Sequence, residues 1–433
     1  MIEKTVCELF AGVGGFRCGL NNILSLDNLK KPEKWKTVWF NQWEPKTKKQ
    51  YAHGCYVRHF GTAVDKCGHD TTNMDISVVD KDAIPDHNLL VAGFPCQDYS
   101  VARTLSGEQG IAGKKGVLWW SLLDVLKAKK PPFVLLENVD RLLKSPSVQR
   151  GRDFGMILGS LRNEGYNAEW RVINAAEYGF IQRRRRTFIF AYRNTTKFSE
   201  RMTGKTPEAI LRSDGFFCRQ FPVSEIDTSA IGHTRLDTDL VSISESFSFG
   251  FQNSGIMING NIFTVGVSSA CKTRNVLKDV LETGDVSEDL FIEKNRLFWT
   301  DPAVTSSDET EAPLSRDARR TWQYIKGSKK CLRESSNGHR YVYTEGAIPM
   351  IDRWYDPART ILTSEGRFSR STHLVRDLQT ERIRLLSPVE TERLNEFPDN
   401  WTEEFIINGE IYKTPKNARY FEMGNALIVG LIS

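Results

Sequence analysis

Two hydrophobic rhythms share the first 195 residues of this chain. Short apolar runs predict β-strands: "KTVCELF" (4–10), "WKTVWFNQ" (35–42), "HNLLVAGF" (87–94), "PPFVLLENV" (131–139), "NAEWRVINAA" (167–176) and "TFIFAYR" (187–193). Between them, "GFRCGLNNILSL" (15–26), "GVLWWSLLDVLKAKK" (116–130) and "RDFGMILGSLRNEGY" (152–166) space their apolar residues as helices do. Such alternation implies an α/β fold, a parallel sheet with helices on both faces. From about residue 197 the chain turns polar and rich in Ser, Thr, Asn, Asp and Gly, with short β-like pieces such as "NIFTVGVSS" and "HRYVYTEGAI". "LLSPVETERLNEFPDNW" (385–401) returns to helical spacing, with Pro and Glu at a helix start. The expected division is a first domain over 1–196, a smaller loop-rich domain over 197–378, and a segment over 379–433 that rejoins the first.

Composition narrows this picture. The 433 residues suffice for two or three domains, and 40% hydrophobic with 26% charged residues is ordinary for a globular chain. No run approaches the roughly 18 apolar residues of a membrane span. "MIEKTVCELFAG" has no signal-peptide pattern, so a cytoplasmic location is expected. The eight cysteines contain no CxxC pair and read as reduced thiols. Cys55, His59, Cys67 and His69 match no standard zinc spacing, and no metal is expected. The net charge of +5 permits nucleic-acid binding without requiring it.

The chemistry-bearing residues stand at the ends of the predicted strands. "ELFAGVGGFRCGL" (8–20) is strand, glycine turn, helix, which lets a nucleotide-like ligand approach the backbone. "NQWE" adds Trp43 as a stacking surface beside Gln42 and Glu44, and "NMDIS" adds Asp75 as an acceptor for an amino group. Three successive strand ends thus suit a nucleoside. In "GFPCQDYS" (93–100), Pro95 stiffens a turn that carries Cys96, either as a small buried hydrophobe or as a reactive thiol. "LLENVDRLL" puts Glu137 and Asn138 at another strand end, where a carboxyl group is costly without a task or a partner. "QRRRRTFIFAY" (182–192) sets four arginines against a strand, where a solvated basic face is the alternative.

In order, "FAGVGG", "GFPCQ", "ENV", "QRRRR", a variable stretch, "LSPVETERLNEFPDNW" and "RYFEMGNAL" closely resemble the bacterial DNA cytosine-5 methyltransferases of restriction-modification systems. The resemblance implies a Rossmann-like S-adenosylmethionine-dependent methyltransferase sheet, with the 197–378 region as target recognition domain. It makes Cys96 the nucleophile toward carbon 6 of cytosine. Glu137 becomes the group that holds N3 and the exocyclic amine, Arg186 the ligand of O2, and Arg184 its buttress. The implied cofactor is S-adenosylmethionine, held by Phe10, Ala11, Gly12, Gly14, Gly15, Phe16, Trp43, Asp75, Ile76, Gly93, Pro95, Leu118, Asn425 and Ala426. Many relatives read Asn-Glu-Trp where this chain reads "NQWE", so the ribose falls to either Gln42 or Glu44.

The implied partner is double-stranded DNA, met by a monomer, with a cognate restriction endonuclease in the same system. A base inside a duplex must be flipped out to react. The polar, glycine-rich stretch 100–116 is the expected lid, with Gln97, Ser100, Arg103, Lys114 and Lys115 on the DNA, joined by Arg359 and Thr360 of "RTILT". Residues 326–366 resemble the recognition segment of a subgroup whose sites have CC/GG cores. Two alternatives stay open from the sequence: a tRNA-directed cytosine-5 methyltransferase, and a catalytically silent DNA-binding protein.

Overall fold

Strand alternation sorts the apolar residues of one large sheet into two layers. The computed structural model describes residues 3–45, 47–94, 117–270, 274–299, 307–310, 314–335 and 338–433. The sheet has nine strands: β1 (Thr5–Leu9), β2 (Lys36–Asn41), β3 (Leu89–Gly93), β4 (Phe133–Val139), β5 (Tyr166–Asn174), β6 (Arg185–Arg193), β7 (Val223–Arg235), β8 (Ser254–Ile258) and β9 (Asn261–Ser269). Their order is β2-β1-β3-β4-β6-β5-β8-β9-β7. The first four run parallel, and β6 onward each pair antiparallel with their neighbours.

Four helices bear on the site: α1 (Gly15–Leu20), α2 (Tyr51–Phe60), α3 (Val117–Lys129) and α4 (Arg152–Asn163). Leu90, Ala92, Val134, Leu136 and Ile189 pack on one face with Leu122 and Leu126 of α3 and Phe154 and Ile157 of α4. Val91, Leu135, Phe188 and Phe190 turn to the other face, against Phe16 of α1 and Phe217 and Phe221 beyond β6. Helices do cover both faces, as the alternation predicts.

The structure departs from the sequence reading in three places. The sheet is mixed, not parallel throughout. The expected boundary at 196/197 is no edge of the sheet: β8 pairs with the open side of β5, and β9 and β7 follow outward. A strand edge left bare at β5 would expose its ladder of amide groups, and residues 254–258 cover it. The helix expected over 15–26 stops at Leu20, where Asn21 and Asn22 end it and Asn22 takes φ +55°.

Beyond the sheet, β10 (Asp308–Glu309), β11 (Lys329–Glu334) and β12 (Arg340–Glu345) form a small separate sheet. Leu277, Val280, Ala358, Ile361 and Val375 share one core with Val13, Cys55, Leu394, Trp401 and Met423. This part of the expected recognition region is therefore rooted on the glycine turn and the C-terminal segment. Helix α5 (Pro388–Leu394) opens with a capping box between Ser387 and Glu390. The buried Glu390 also takes Arg384 through two bonds of 2.8 and 2.7 Å, and Arg384 reaches Asp377 at 3.0 Å. A second C-terminal helix, α6 (Lys416–Asn425), packs on α5.

Among the described residues no helix is long and apolar enough to cross a membrane, and no group of three His, Cys, Asp or Glu could hold a metal. In the cluster tested for zinc, the Cys55 thiol and the His59 ring both donate to the Trp401 carbonyl, at 3.4 and 2.7 Å.

Candidate active site

The carboxyl ends of β1, β2, β3 and β4 lie side by side, because the four strands run parallel. Open α/β sheets bind ligands along such a row. At the end of β1 the chain turns through three positive-φ residues: Phe10 (+54°), Gly12 (+55°) and Gly14 (+91°). The Ala11 amide donates to the Asn41 carbonyl at 3.0 Å, and the Gly12 amide to the Gln42 side-chain oxygen at 2.8 Å. A Cβ at Gly14 would lie 2.7 Å from the Phe60 ring, so only glycine fits there. A Cβ at Gly12 would meet nothing within 4 Å, so this part of the turn borders open space. Beneath it, burial pushes the Glu8 carboxyl up to about 7, against a 3.0 Å hydrogen bond from the Tyr56 hydroxyl.

The other expected cofactor residues fall into two sets. Trp43, Glu44, Asp75, Leu118 and Ala426 are half-buried, Gly93 likewise, and Asn425 is exposed, so each presents surface. Phe16 and Ile76 are packed into the two cores and can only shape the pocket from behind. A side chain at Gly15 would run into Leu427, so Gly15 serves close packing. Gln42 is buried and spends its oxygen on the glycine turn, while Glu44 accepts from the Thr47 hydroxyl at 3.1 Å and Gln50 holds its backbone.

Gly93 of β3 stands opposite Glu137 of β4, and a Cβ at Gly93 would lie 3.4 Å from the Glu137 carboxylate. Glu137 accepts from Arg186 Nε at 2.7 Å, both side chains largely buried. Antiparallel pairing of β4 with β6 produces this meeting, since Val139 faces Arg186 across the ladder. Next along β4, the buried Asn138 amide donates to the Phe94 carbonyl at 2.8 Å and so pins the residue that precedes Pro95 and Cys96. Pro95, Cys96, Gln97, Ser100, Arg103, Lys114 and Lys115 lie outside the described residues.

Arg184 is fully buried, and its guanidinium donates to the carbonyls of Ile361 at 3.1 Å and Gly424 at 3.0 Å. Burial, with the Arg186 charge beside it, lowers its pKa to about 9, which leaves it charged at neutral pH. It ties the base of the "QRRRR" strand to the "RTILT" segment and to α6. In Arg184→Met, two carbonyls lose donors at about 1–3 kcal/mol each, offset by relief of a buried charge. A net destabilisation of about 2 kcal/mol is expected in chemical denaturation.

Two residues stand differently from the sequence reading. Arg359, expected on DNA, grips Asp352 through Nε (2.7 Å) and Nη2 (3.0 Å) and donates to the carbonyls of Ser371 and Thr372. Four of its five N–H groups are engaged by protein, and it braces the segment. Thr360 is part of the same stitch, its hydroxyl donating to the Arg183 carbonyl at 2.7 Å. Gln182, which sequence reasoning quoted without a role, completes it: its oxygen accepts from the Ile361 amide at 3.0 Å, and its amide reaches Asn395 at 3.1 Å. The signal was its place at the head of the arginine run.

The profile of the C-5 cytosine-specific DNA methylase family matches residues 4–433. Type II methyltransferase M.Sau3AI of Staphylococcus aureus is 42% identical over 437 residues, which span 100% of this chain and 94% of that protein. Type II methyltransferase M.NgoBI of Neisseria gonorrhoeae is 32% identical over 195 residues, 45% of this chain and 52% of its own. The Dnmt2 methyltransferase of S. pombe is similar in fold, with a TM-score of 0.54 and 14% identity over 100% of this chain and 96% of its own. Parallel strand ends carrying a glycine turn and a Glu–Arg pair agree with a profile that matches from residue 4 to the last residue: this chain belongs to the C-5 cytosine-specific DNA methylase family.

Proposed function

We propose that this DNA methyltransferase acts on carbon 5 of a cytosine flipped out of a short duplex site, through a transient bond from Cys96, as the protecting methylase of a cytoplasmic restriction-modification system. The observation that carries the reading is the Glu137–Arg186 pair at 2.7 Å, set at the end of β4 against Gly93, three residues before Cys96. One carboxyl and one guanidinium in contact match the N3, amine and O2 edge of cytosine.

The residues present fit S-adenosylmethionine. Open space borders Gly12, Trp43 offers a ring just past the end of β2, and Asp75 offers a carboxylate in the turn whose Met74 carbonyl accepts from Asn41 of β2 at 2.8 Å. When bound, that cofactor supplies an electrophilic methyl on a cationic sulfur. Carbon 5 of cytosine is a poor nucleophile until the Cys96 thiolate adds to carbon 6 and turns the ring into an enamine. Glu137 gives a proton toward N3 as negative charge builds there, and Arg186 holds O2 and keeps Glu137 in place. Once carbon 5 has gained its methyl and the donor sulfur has left as a neutral thioether, the carbon-5 proton leaves to a base, N3 returns its proton to Glu137 and the carbon–sulfur bond breaks, which restores the ring and frees Cys96 as thiolate.

The test is transfer of labelled methyl from S-adenosylmethionine to plasmid DNA and to tRNA in parallel, with bisulfite sequencing of the product. Label in DNA alone, at one cytosine of a fixed short sequence, is expected. Label in tRNA alone would favour the RNA-directed reading, and label in neither a silent DNA binder.

A further inference from the structure

Glu422 lies on α6, three and four residues before Asn425 and Ala426, and so shares their side of the helix. It is 5% exposed, and neither of its carboxylate oxygens has a hydrogen-bond partner among the described residues. Leaving both oxygens of a buried carboxyl without donors is costly, and native structures seldom do so without a reason. The nearby cation is already engaged: Arg419 donates to Glu392 at 2.8 Å and to the Thr402 hydroxyl at 3.2 Å. Burial, then the charges of Glu44 and Glu392, push the Glu422 carboxyl well above its ordinary range. Glu422 therefore sits between the end of β2, which carries Glu44, and the end of α6, which carries Asn425. Both border the cofactor pocket.

The two residues first expected at the ribose are otherwise occupied. Gln42 gives its oxygen to the Gly12 amide, and Glu44 accepts from Thr47 at 3.1 Å and faces the Gln42 amide at 3.5 Å. Of the two carboxyl groups, Glu422 alone has both oxygens without a partner among the described residues. Two oxygens on one carboxyl group match the two donors of a vicinal diol. We propose that Glu422 is the residue that receives the ribose hydroxyls of the methyl donor, a role that rests on reading this pocket as the S-adenosylmethionine site. Its two unpartnered oxygens are then satisfied on binding, which favours the occupied state.

The test is calorimetric titration of the full chain with S-adenosylhomocysteine and with its 2′-deoxyribose counterpart. The unsubstituted protein should bind the ribose form the more tightly. Glu422→Met keeps the length of the side chain and removes both acceptors. It should lose about tenfold to a hundredfold in affinity for the ribose form and bind the two ligands alike. Glu422→Gln, with one acceptor left, should fall between. The ligand-free melting temperature of Glu422→Met should hold or rise, because an unpartnered group has been removed. Discrimination retained in Glu422→Met, an equal loss for both ligands, or a lower ligand-free melting temperature would each overturn the assignment. Failure of the unsubstituted chain to bind either ligand would instead overturn the cofactor reading and this assignment with it.

Discussion

Replacing Cys96 with serine is expected to abolish methyl transfer while the duplex is still bound. The hydroxyl of serine stays protonated at neutral pH, whereas a thiol near cations yields a usable fraction of thiolate and is far more nucleophilic. No other step in the reaction activates carbon 5, so the loss should be complete within detection. Ahead of the residue in the chain, Asn138 fixes the Phe94 carbonyl, and Gly93 lies in register with Glu137. The decisive measurement uses a duplex carrying 5-fluorocytosine at the target, where the departing proton is replaced by fluorine and the adduct cannot resolve. The unsubstituted protein should become attached to DNA through residue 96, and Cys96→Ser should not. Turnover by the serine variant would refute the nucleophile.

Glu137→Gln should lower the single-turnover methylation rate by about 10²–10⁴-fold, the usual worth of a positioned acid. Glutamine keeps the length of the side chain and an acceptor for Arg186, so the fold and the affinity for DNA should change little. What disappears is the proton offered to N3 and the charge that holds Arg186 at 2.7 Å. The effect should fall on the rate constant of the chemical step and not on the apparent affinity for duplex. A variant with unchanged rate would show that N3 is neutralised by another group.

Much of this site was legible because chemistry-bearing residues cluster at strand ends, where short patterns survive. The glycine turn, "ENV" and "QRRRR" each name a residue type that a strand interior would not carry, and the structure places all three at one end of the sheet. The partners of Arg359 were hidden for a physical reason. An arginine in a polar loop reads as free, and only folding brings Asp352, Ser371 and Thr372 around it. Glu422 was passed over for the converse reason: one glutamate in "NARYFEMGN" reads as solvated, and only packing removes it from water. The outer strands were hidden by composition. β7, "VSEIDTSAIGHTR", is an edge with a single neighbour and is largely exposed, so its sequence never shows the apolar run that marks β3 or β4.

The stitch formed by Gln182, Arg184 and Thr360 limits how such a protein can change its taste in DNA. The strip from Ala358 to Ile361 is keyed to the arginine strand, and Gly424 is keyed to the same arginine. Change can therefore collect in the exposed ribbon of β11 and β12, whereas the strip is inherited with the arginine strand. Related chains should differ in the ribbon and share the seam.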